Sequence, residues 1–124
     1  MTALGDSDAA YVATVLLLYV DLPDTPLRAS PADHALARRL YEQAVPLKLV
    51  ESALLLATLR RLVRASDLPR LSKIRSLAYF LPVIEELRLQ PMPDGYVEYL
   101  RLKLRNLSQP SRPDAQKNTF SEDR

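Results

Sequence analysis

Eight consecutive residues near the middle of this chain, Ser52-Ala-Leu-Leu-Leu-Ala-Thr-Leu59, carry no charge and little polarity. Wound at 100° per residue, they place apolar groups on nearly every side of a helix, and a helix that is hydrophobic all round is buried all round. This predicts a central helix over about residues 46–65 with the other segments packed on it. Its charges stand at its ends, Lys48 and Glu51 near the start and Arg60, Arg61 and Arg64 at the finish. The three arginines fall within an arc of about 100° and emerge as one group.

Punctuation residues divide the rest. Ser30-Pro31-Ala32-Asp33 reads as a helix start, with Ser30 as cap, Pro31 at the first helical position and Asp33 in place of a capping-box glutamate. Leu36, Leu40, Tyr41 and Ala44 then recur at helical spacing. Pro46 fits the first turn of the central helix, which leaves a very tight connection around Ala44-Val45. After a link at Leu68-Pro69, Ser72 can cap a fourth helix over about residues 73–89, with Ile74, Leu77, Phe80, Leu81, Ile84 and Leu87 as its stripe. Pro82 has no N–H for the Ala78 carbonyl, so it either bends this helix or divides it into two shorter ones. Pro91 to Gly95 is a turn, and Tyr96, Val97, Leu100, Leu104 and Leu107 line a fifth helix. Tyr11 to Val20 is β-branched and aromatic enough for a strand, but no partner strand is in sight, so we read it as a helix. The fold class is therefore all-α: a compact bundle of about five helices forming one domain over 1–107, followed by a disordered polar tail over 108–124.

Much chemistry is excluded. The chain has 124 residues, no cysteine and two glycines, so it has no disulfide framework, no thiolate metal site and no glycine-rich phosphate loop. His34, the single histidine, makes no zinc site alone and reads as an exposed first-turn residue. No nucleophile–base pairing and no cofactor motif is present, which points to a non-enzymatic protein without cofactors. The longest apolar run, Ala9 to Val20, is shorter than the ~20 residues that span a bilayer. It is preceded by Asp6 and Asp8 rather than by Lys or Arg, unlike a secretory signal. A soluble, cytoplasmic protein with no membrane partner is expected.

The charge is unevenly placed. Residues 1–34 carry a net −4, residues 35–88 a net +5. Arg60, Arg61, Arg64, Arg70, Lys73 and Arg75 lie within sixteen positions, with Asp67 the only acid among them. Such a patch suits phosphate, because each guanidinium donates two parallel hydrogen bonds; Arg38, Arg39 and Lys48 are candidates to extend it. The competing explanation is local: cations in a last helical turn complement the helix dipole by ~0.3–1 kcal/mol.

Two motif-like patterns overlap. Ala37-Arg-Arg-Leu40-Tyr-Glu-Gln-Ala44-Val45-Pro46-Leu-Lys-Leu-Val50 has the form of a helix-turn-helix. Its second helix is too apolar to lie in a groove, so a plain αα-hairpin accounts for it better. Over about residues 33–88 the chain also resembles the DnaD-like helical domain of bacterial replication proteins. The resemblance rests on Leu40-Tyr41-Glu-Gln-Ala44-Val45-Pro46, Val50-Glu-Ser-Ala53-Leu54 and Ser76-Leu-Ala-Tyr79-Phe80-Leu-Pro-Val-Ile84. It departs from the family at Ala44, where a turn glycine stands, and in having no tryptophan. It implies DNA binding in a replication or mobile-element accessory role.

Of six tyrosines, Tyr41, Tyr96 and Tyr99 fall near apolar stripes and read as packing residues. Tyr79 sits off its stripe, one turn after Arg75, and is the aromatic best placed to meet a base. Glu85 and Glu86 read as a solvated face, with Glu85 paired to Arg88 at i+3. The leading expectation is a nucleic-acid-binding accessory protein. The alternative is a helical protein-interaction module, either a homo-oligomer or a small subunit, motivated by surplus apolar residues in Val15 to Val20, by Leu102 and by the cover the central helix demands.

Overall fold

A computed structural model describes residues 2–64 and 68–108, with side chains over 8–64 and 68–107. The described residues are helical with no strand: α1 (Thr2–Val20), α2 (Pro31–Glu42), α3 (Leu47–Leu62), a 3₁₀ turn over Leu77–Phe80, α4 (Leu81–Leu89) and α5 (Tyr96–Ser108). The expected tail beyond α5 lies outside the described residues. The Tyr11–Val20 segment is helical despite its β-branched content because its apolar groups sit at helical spacing. Val12, Val15, Leu16 and Tyr19 are all buried on one face.

α3 is the centre: α1, α4, α5 and the 3₁₀ turn all pack on it. Val50, Ala53, Leu54 and Ala57 are buried along it. Its two polar interior positions satisfy themselves locally, since the Ser52 hydroxyl donates to the Lys48 carbonyl and Thr58 to that of Leu54, both at 2.8 Å. Pro46 stands just before the helix as its cap residue, its carbonyl accepting the Leu49 and Val50 N–H groups.

α2 begins as expected. The Asp33 N–H donates to Ser30 Oγ and the Ser30 N–H returns to Asp33 Oδ2, at 3.1 and 2.9 Å. It ends in a Schellman turn: Val45 N–H reaches the Leu40 carbonyl (3.1 Å), Ala44 N–H that of Tyr41 (2.9 Å), and Leu40 and Val45 are both buried. Ala44 takes the left-handed position at φ +59°, where helices ordinarily place glycine. From α1, the Tyr11 hydroxyl donates to the Val45 carbonyl at 2.7 Å, and burial pushes its pKa up to about 12. α2 then lies against α1 and barely meets α3. The expected αα-hairpin is therefore corrected: the turn is tight, but α2 and α3 do not pack on each other, and both instead lie against α1 and the 3₁₀ turn.

The fourth helix is also corrected. Residues 69–76 form an irregular strap, and α4 starts only at Leu81, after the 3₁₀ turn. Pro82 lies in the first turn of α4, where its missing N–H costs nothing. The proline thus separates two elements rather than bending one. Ser72 caps no helix. Ile74 and Leu77 are buried as the stripe required, but their N–H groups go elsewhere: Ile74 donates to the Asp24 carbonyl (2.8 Å) and Leu77 to Asp33 Oδ1 (2.9 Å).

The left-handed Ala44 generates a prediction. An L-residue loses about 1–2 kcal/mol there, against ~0.4–1 kcal/mol of added unfolded-state freedom for glycine. Ala44→Gly should therefore stabilise the fold by roughly 0.5–1 kcal/mol, read as a raised urea midpoint at unchanged slope.

Candidate functional site

The strap leaves α3 at its arginine-bearing end and returns to the core at Ile74, and arginines hold it there. The Arg61 side chain is only 9% exposed. Its Nη1 donates to the Tyr79 hydroxyl (3.1 Å), and its Nη2 to the Ser72 carbonyl (2.9 Å) and Asp24 Oδ2 (3.2 Å). The guanidinium carbon stands 5.4 Å from the centre of the Tyr79 ring, a cation–π contact. Burial works against the charge, but the hydrogen bonds to Tyr79 and Asp24 outweigh it and leave the Arg61 pKa above its ordinary value. Asp24 holds its place in the loop with φ +65°.

The other members of the basic cluster have different fates. Arg60 forms a two-pronged pair with Glu86 at 2.9 and 2.7 Å. That bond raises the Arg60 pKa and holds the Glu86 carboxyl below the usual carboxylate range. Arg64 donates from Nη1 to the Pro69 carbonyl at 2.9 Å and keeps its remaining donors. Arg70, Lys73 and Arg75 are exposed on the strap, with no ion pair or hydrogen bond among the described residues. Six cations grouped by sequence thus become one largely buried clamp, two partly engaged arginines and three with no partner among the described residues.

The proposed extension of the patch is not brought together. Lys48 lies about 18 Å down the α3 axis from Arg60, at 1.5 Å per residue. Arg38 and Arg39 are at the end of α2 that leads into the same far end of α3. Arg38 is paired with Asp8, and Arg39 is exposed. Tyr79 is half exposed as its off-stripe position required, but its hydroxyl accepts from Arg61 and its ring meets Phe80 edge-on at 5.2 Å. Tyr96 and Tyr99 pair with each other, and Tyr41 packs against Tyr11. His34 is exposed, and Glu85 pairs with Arg88 at 3.2 Å.

Two concavities flank the strap. One of about 380 Å³ has Ala57, Leu71, Tyr79, Pro82 and Val83 around it, with Arg60 and Arg64 alongside. Another of about 230 Å³ shares Arg61, Arg64 and Leu71 and adds Leu62, Leu68, Pro69 and Arg70. Sequence reading missed Asp24 and the Ser72 carbonyl as parts of this site. Asp24 meets Arg61 across 37 positions, a separation that no helical spacing reveals. Among the described residues no group of three potential metal-ligating side chains occurs, and no helix is long and apolar enough to cross a membrane.

Compared with protein-family models, with curated proteins and with solved structures, the chain matches none.

Because Arg61 binds three partners from a planar fork and stacks on a ring, lysine is a poor substitute. Arg61→Lys should lower stability by about 1.5–3 kcal/mol, the range for charged hydrogen bonds, and speed amide exchange at Ile74 well beyond that at Val50. Equal acceleration at both amides would show that Arg61 does not hold the strap in particular.

Proposed function

We propose that this protein is a small non-enzymatic nucleic-acid-binding accessory protein that works in the cytoplasm and contacts phosphates through the strap. The observation that carries the reading is the strap itself: Arg70, Lys73 and Arg75 exposed together, without an acidic partner among the described residues, on a backbone fixed by Arg61 and Arg64. A backbone held in advance spares part of the ordering entropy that phosphate binding would otherwise cost. Arg64 supplies a fourth contact from its unused donors. Sequence-independent binding fits best, because α3, the helix that a helix-turn-helix would lay in a groove, is the core of the bundle. The resemblance to the DnaD-like helical domain supports a place in replication or in mobile-element maintenance.

Reversing the three strap cations together (Arg70→Glu, Lys73→Glu, Arg75→Glu) should weaken oligonucleotide binding at least tenfold and flatten its salt dependence. Each lost phosphate contact removes about 0.7–0.9 from the slope of log affinity against log salt. Fluorescence anisotropy reads both quantities, with circular dichroism to confirm that the helices persist. Unchanged affinity in the triple variant would remove the reading.

A second reading has its own observation. Leu17, Leu27 and Leu89 are 68%, 94% and 82% exposed, and Leu102 is 51% exposed. Large aliphatic groups on the outside of α1, α4 and α5 and in the α1–α2 loop suit a helical interaction module. That reading expects concentration-dependent mass in light scattering, or a stable complex with a second protein. A strict monomer at high concentration would dismiss self-association.

A further inference from the structure

We infer that the preferred ligand is single-stranded nucleic acid, with one unstacked base entering the groove between the strap and α4; the inference rests on the phosphate-binding reading above. The groove holds about 380 Å³, enough to admit a planar ring of nucleobase size, and its walls at Leu71, Tyr79, Pro82 and Val83 are largely apolar. Arg60 and Arg64 lie alongside it. The neighbouring concavity is more polar: Leu62 and Leu68 line it beside Arg64 and Arg70, with Asp24, already paired to Arg61, also in its wall. Leu71 belongs to both and stands 43% exposed between them as a ridge. Leu68, in the wall of the second concavity, and Tyr79, in that of the first, are 48% and 44% exposed.

The pairing of apolar hollows with cations decides the ligand class. A duplex turns phosphate and sugar outward and keeps its base faces stacked, so these exposed leucines would gain nothing against it. Base edges in a groove are reached by a projecting helix or ribbon, and the strap is neither. A single strand offers both chemistries in alternation: a phosphate for each arginine and a base face for each apolar hollow. Arg61 covers part of the Tyr79 ring and draws its hydroxyl inward, leaving ring surface toward the groove for a base. An acidic peptide with aliphatic side chains is the other chemistry that matches this surface, and it enters as an outcome of the test.

Anisotropy titrations of the full chain would compare oligo(dT), an abasic deoxyribose-phosphate strand of equal length and a duplex. We expect oligo(dT) to bind about tenfold more tightly than either of the others, the scale of a stacked base. Leu71→Ser should lower oligo(dT) affinity by about five- to tenfold, leaving abasic binding and the salt slope unmoved, while Tyr79→Leu, which also removes a partner of Arg61, should lower oligo(dT) affinity at least as far. Tyr79→Phe, which keeps the ring, should restore most of the affinity, a result that a purely structural role for the Arg61 bond would not give. Leu71 is exposed, so its variant tests the groove without depending on the core. Equal binding of oligo(dT) and the abasic strand, or a duplex preference, would overturn the base-binding groove while leaving phosphate binding intact. No binding to any of the three, with saturable binding of an acidic leucine-containing peptide, would overturn both.

Discussion

From Ser52 to Leu59 the central helix has no side that water can be left to wet, and each of these residues is buried or half-buried. Helix propensity contributes little to this; the cost of hydrating a ring of leucines and alanines is what organises the chain. α1, α4, α5 and the 3₁₀ turn are laid around α3 because each has an apolar stripe to lose against it. The same constraint explains where charge is allowed. Ionised groups on α3 must wait for its ends, so the chain leaves the core through a turn of arginines, and any segment that returns from there has to pass them.

That passage turns a run of like charges into a set of unlike environments. Arg61 is drawn inward because an aromatic ring, a carboxylate and a free carbonyl converge on it, enough partners to offset its desolvation. Arg60, one residue earlier, points toward α4 and finds Glu86. Arg64, one turn later, reaches only a strap carbonyl. Charge counted along a sequence therefore overstates the charge a ligand can meet. The cations left exposed belong to the strap, whose position depends on the arginines that are spent.

Features built from short-range physics were legible in the sequence. The capping box needs Ser30 and Asp33 three apart, and the Glu85–Arg88 pair needs one helical turn; the tight connection at Ala44-Val45 was legible as well, though not the left-handed Ala44 that makes it a Schellman turn. The burial of Ile74, Leu77 and Phe80 was legible too, but the conformation that buries them was not. Spacing of three between Ile74, Leu77 and Phe80 fits a helix and equally fits a strap that enters a 3₁₀ turn. The decision came from distant acceptors, the Asp24 carbonyl and the Asp33 carboxylate, which offered those N–H groups partners outside any helix. The divergence of α2 and α3 is of the same kind, because α1 competes for the apolar face of α2. The candidate site was half visible: its cations stand in the sequence, but the clamp that sorts them joins residues 11, 18 and 37 positions apart.

Asp33 carries this logic to the time domain. Asp33 is 2% exposed, and its two oxygens serve the N–H groups of Ser30, at the start of α2, and of Leu77, in the 3₁₀ turn 44 positions beyond Asp33. The first turn of a helix is ordinarily where fraying begins, since its leading N–H groups have no partners within the helix. Here, opening that turn also strips a buried carboxylate and an amide of the 3₁₀ turn of their partners. The start of α2 and the entry to α4 are thus joined into one opening unit. The bond also ties residues 44 positions apart, so the entropy of closing that long loop is a cost the buried junction has to offset.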